Sequence, residues 1–136
     1  LRWNRYRLTD GNLVLERPLE GASAILARNV VAMHAQYGAA ATGTTSLASW
    51  EDASGATFGT LSGADIARVR AVRVGVITRS PQREKPNSAG QCEATTAKPQ
   101  LFGEDITPAG DDWQCYRYRS AVVVIPLRNI VLGAKS

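Results

Sequence analysis

The sequence predicts an α+β fold that is mainly β, with a single domain over residues 1–136. Three observations carry this expectation. Val69 to Ser80 reads V-R-A-V-R-V-G-V-I-T-R-S, in which Val72, Val74 and Val76 recur at period two, the repeat of a strand with one buried face. Tyr116 to Asn129 is dense in β-branched and aromatic residues, which suit a pleated surface. The chain is 44% hydrophobic over 136 residues, enough for one core and too little for two comfortable ones.

In chain order, residues 2–17 read as a β-hairpin, because Asp10-Gly11-Asn12 separates two strand-like runs and these residues tolerate the positive φ of a tight turn. Pro18 and Gly21 break the chain before Ser23–Asn29, which is expected as a short helix N-capped by Ser23 or as an irregular turn. Val30–Tyr37 alternates Val31, Met33, Ala35 and Tyr37 with Val30, Ala32, His34 and Gln36, so a strand is expected, with His34 pointing away from the apolar face. Gly38–Gly63 is rich in Ala, Gly, Thr and Ser and holds only Trp50 and Phe58 as large apolar anchors. A long loop or two short irregular elements are expected there.

Gly63–Arg68 reads as one helical turn leading into Val69–Ser80, the expected central strand. Its valine side is expected to be buried, and Arg73 and Arg79 mark the other side as partly solvated. Ser80-Pro81 closes it, because proline cannot donate the next ladder bond. Pro81–Gly110 carries four of the six prolines and few aliphatics, so it needs a staple in place of a core. Pro126 inside the last run argues for an edge, a bulge or a break.

The formal charge is +4, which allows an anionic partner without requiring one. No enzyme is expected. The chain has one histidine and none of the nucleophile-elbow, phosphate-loop or zinc-helix motifs. Glu51-Asp52 and Asp111-Asp112 read as solvated loop charge and not as a hydrolytic pair or a calcium site. His34 lacks an identifiable orienting partner. Neither catalytic, cofactor-binding nor metal residues are assigned, and no cofactor or small-molecule substrate is expected.

Arginines and aromatics interleave at Arg5-Tyr6-Arg7 and at Tyr116-Arg117-Tyr118-Arg119. Arg5, Arg7, Arg117 and Arg119 are therefore the candidate contacts to an anion or a single-stranded nucleic acid. Against this, alternation along a strand puts arginine and tyrosine on opposite faces. Cys92 and Cys115 have 22 intervening residues, which excludes a C-x-x-C site and leaves a disulfide or two buried thiols. A disulfide is expected, closing a loop-rich segment and placing the domain in an oxidising compartment.

No run approaches the ~20 apolar residues of a membrane helix. The longest is Ala121–Ile125. A chain that opens at Leu1 is expected to be a fragment.

Three blocks, Ala27–Gly38, Arg68–Val74 through Arg79-Ser80, and Tyr116–Arg119 followed by Val124–Asn129, resemble in order and spacing the C-terminal half of PilW-type minor pilins of type IV pili. The opening Tyr6-Arg7-Leu8, Gly11 and Leu13-Val14 are similar to the hairpin of J-type minor pseudopilins of type II secretion. The resemblance implies a pilin-like globular head of antiparallel strands, whose long N-terminal helix is absent from this fragment. It further implies a non-enzymatic subunit that primes pilus assembly with other minor pilins and helps display a tip adhesin. Such a protein would be held in the inner membrane by the missing helix, and would reach the extracellular pilus tip after assembly. The alternatives are a type II secretion minor pseudopilin and a surface-displayed DNA-binding module. A half-buried sheet needs cover, and the missing helix or a partner subunit is expected to supply it.

Overall fold

The computed structural model describes residues 2–56, 58–60 and 62–127. The fold is mainly antiparallel β with very little helix. Two compact units divide it, one comprising the chain up to Met33 with Val76–Ala121, the other His34–Gly75 with the chain from Val122 onward.

In the first unit, β1 (Arg5–Thr9) and β2 (Asn12–Arg17) form an antiparallel hairpin with Thr9 opposite Asn12. Only Asp10 and Gly11 lie between them, both at positive φ (51° and 70°), and these angles match the turn to the twist of its strands. The segment expected as a helix or irregular turn is instead a strand, β3 (Ala22–Arg28), antiparallel to β2 with Leu15 opposite Ala24. Its Ser-Ala-Ile-Leu-Ala run has no strong local preference. The open edge of β2 offers a full set of backbone partners that a single helical turn would lack. Asn29, at φ 56°, turns the chain out of this three-stranded sheet, and the Val30 N–H donates to the Gly11 carbonyl at 2.9 Å.

A second sheet has the order β5-β4-β6-β9, from β4 (Val30–Ala40), β5 (Leu47–Asp52), β6 (Val69–Arg79) and β9 (Tyr118–Pro126). The central position expected for β6 is observed. Within the first unit, Ala32, Ile77 and Leu101 form a core cluster against Val31, Ile106 and Tyr118. Leu101 belongs to a small ribbon of β7 (Gln100–Leu101) and β8 (Glu104–Asp105). A 3-10 turn over Trp113–Cys115 leads toward β9.

In the second unit, α1 (Gly63–Arg68) is capped by Ser62 in a reciprocal box with Asp65. The Asp65 N–H donates to the Ser62 hydroxyl at 3.1 Å, and the Ser62 N–H donates to the Asp65 carboxylate at 3.3 Å. Two of the helix's orphan donors are thereby satisfied. Ala39, Phe58 and Val69 form the core here, with Tyr37 and Leu127 packed against them. The stretch expected as a long loop or two short irregular elements supplies β5, because Ser49, Trp50 and Glu51 find pairing partners in Ala39, Gly38 and Tyr37.

The buried side of β6 differs from expectation. Val69, Ala71, Gly75 and Ile77 are buried, whereas Val72, Val74 and Val76 are only partly so. Small residues leave room for arginine stems on the first side, and such stems cover apolar surface while keeping the charge wet. His34 is exposed, yet it shares the parity of the buried Val30 and Ala32. Pro126 is the last residue of the edge strand β9. Arg128 and Asn129, expected to end that strand, and the tail Ile130–Gly133 lie outside the described residues.

Candidate interaction surface

β9 is the edge of its sheet among the described residues. Leu127 N–H donates to the Arg70 carbonyl and Ser80 N–H to the Arg117 carbonyl, at 2.8 Å each. Within the second unit the Leu127 bond sets the antiparallel register, in which Val123 lies opposite Val74 and Ile125 opposite Val72. Odd-numbered residues of β9 thus direct their backbone groups at β6, and even-numbered ones direct theirs outward. Pro126 has even parity, so its missing N–H costs the ladder nothing.

Val122, Val123, Val124 and Ile125 are each about half exposed, at 53, 54, 52 and 48%. Four consecutive aliphatics in one strand leave both of its faces apolar. In the second unit Val123 and Ile125 continue the partly exposed row of Val72 and Val74. Ala35 and Tyr37 share that face, because Gln36 and Gly38 lie on the opposite one with Arg73 and Trp50. A Cβ on Gly38 would stand 2.9 Å from the Trp50 ring, Arg73 stacks over that ring at 4.6 Å, and Arg73 Nε donates to Gln36 Oε1 at 2.8 Å. Gln36 passes the interaction on by donating to Asp52 at 2.7 Å. The opposite face of this unit is therefore tied down by a polar and aromatic network, whereas on the valine face Phe58 packs against Tyr37 and Leu127 and Val72, Val74, Val123 and Ile125 stay partly exposed.

The four arginines singled out from sequence fall at two places in the first unit. Arg5 and Arg7 both reach Glu16, at 3.7 and 2.8 Å. Arg117 pairs with Glu84 at 2.5 Å. That carboxylate, chiefly through its hydrogen bond, raises the arginine's pKa. Arg119 is exposed. The aromatic rings beside them are also partly engaged. Tyr118 donates its hydroxyl to the Trp113 carbonyl at 2.9 Å, and burial pushes its pKa up, while Tyr116 lies under Arg79 at 4.4 Å. Three of the four guanidinium groups thus face carboxylates of this chain and not a common open surface.

Cys92 and Cys115 are joined in a disulfide, with Cα atoms 4.8 Å apart. Around it the segment is fastened to its neighbours. Glu84 N–H donates to the Cys115 carbonyl at 2.8 Å, and the Thr95 hydroxyl donates to the Tyr116 carbonyl at 2.6 Å. Arg83 meets Asp112 at 3.0 Å. An open cleft of about 460 Å³ in the first unit is lined by Asp10, Asn12, Arg28, Asn29 and Arg79 among others, with no pairing of nucleophile and base. Among the described residues no group of three or more His, Cys, Asp or Glu side chains is placed to hold a metal. No helix among them is long and apolar enough to cross a membrane.

The family model described as Type IV Pilus-assembly protein W (PilW) matches residues 8–129. The chain belongs to the PilW family. The match runs from the end of β1 past the end of β9, and so takes in nearly every strand of both units. PilW proteins are assembly proteins of type IV pili, which associates this chain with the cell envelope and with other pilus components. No curated protein and no solved structure matches the chain.

Sequence reasoning found the cysteines and the central strand and offered an edge as one reading of Pro126, and it did not find the Trp50–Arg73–Gln36–Asp52 network. The four aliphatics that precede that proline add to the edge signal, because they mark a strand without two protected faces. The network had no local signal, since its members come from three strands.

Proposed function

We propose that this PilW-family chain is the head of a non-enzymatic minor pilin that takes part in priming type IV pilus assembly and in forming the tip complex. Residues 1–136 would act as one head domain. The observation that carries the reading is the partly exposed valine face of the second unit, from Val72 and Val74 to Val123 and Ile125, in a protein of a pilus-assembly family. A sheet face of this kind is normally covered by a helix or another subunit. In a minor pilin, the N-terminal helix or a neighbouring pilin would supply the cover. The protein would sit in the inner membrane and periplasm before assembly and at the pilus tip afterwards, with other minor pilins and a tip adhesin as partners.

The test is N-terminal sequencing of the native protein recovered from membranes and from sheared fibres. The expected result is an N-methylated first residue followed by about 20 apolar residues, together with recovery in sheared pili. A native protein without that segment would overturn the pilin reading. Presence in membranes but absence from fibres, with secretion lost on deletion, would move the protein to the type II secretion system. The DNA-binding alternative loses support from the pairing of Arg5, Arg7 and Arg117 with Glu16 and Glu84.

A further inference from the structure

We draw no further inference here: the strongest candidate, the open cleft of the first unit lined by Asp10, Arg28 and Arg79 among others, has no buried polar side chain among the described residues aimed into it and has Arg79 already stacked on Tyr116, so nothing in the structure shows what it would hold.

Discussion

Replacing both Cys92 and Cys115 by alanine should lower stability by about 3.4 kcal/mol, the loop-closure entropy released to the unfolded chain when a link across 23 positions is cut. The segment from Pro81 to Gly110 has little core of its own, with Leu101 as its buried aliphatic, so the link cannot be replaced by packing. For one cooperative unit of this length, with an unfolding entropy of about 2.1 cal/mol/K per residue, that loss lowers Tm by about 12 °C. The assay is thermal unfolding by far-UV circular dichroism on the double variant and on the oxidised parent, at equal concentration and pH. Adding reductant to the parent should reproduce the shift, and adding it to the variant should change nothing. A fall in Tm of less than about 4 °C would refute the reasoning. It would place the order of this segment in the bonds from Glu84 to Cys115 and from Thr95 to Tyr116, and in the Arg83–Asp112 pair.

Phe58→Ala should cost about 3–5 kcal/mol in urea unfolding, since Phe58 is 2% exposed and loses its contact with the Tyr37 ring at 5.8 Å and its place beneath Arg68 at 5.7 Å. Trp50 fluorescence reports it from within the same unit. The capping box predicts a pH dependence. Asp65 is held below the ordinary aspartate range, first by the Ser62 hydroxyl, so its contribution is complete above that range and is lost as pH falls through about 4 and below. The stability difference between the parent and Ser62→Ala in urea unfolding should therefore be larger at neutral pH than in acid. A difference that grows on acidification would contradict the assigned bond.

The elements that could be read from sequence are those whose signal is local. The hairpin follows from Asp10-Gly11, and α1 follows from a serine three residues before an aspartate. The central strand follows from alternation, but which of its faces is buried does not. Val72, Val74 and Val76 are the larger side chains, yet Ala71 and Gly75 are the buried ones, on the side where Arg73 stacks over Trp50, and those two residues are 23 positions apart. β3 was hidden for a related reason, since its strand state is set by the vacant edge of β2 and not by its own residues. The arginines show the same limit. Their spacing announces a strand, and only the fold reveals that Glu16 and Glu84 already occupy three of them.

The order β5-β4-β6-β9 also constrains how the protein is made. β6 stands inside the finished sheet, but its neighbour β9 is separated from it by residues 80–117, and the intervening loop must close before the two can join. During synthesis the valines of β6 therefore wait with one ladder open while the whole proline-rich segment emerges. Oxidation of Cys92 needs Cys115, which appears only just ahead of β9, so the covalent clasp and the last strand arrive almost together. A nascent chain stalled before that point would present an unfinished sheet to any chaperone or protease it meets.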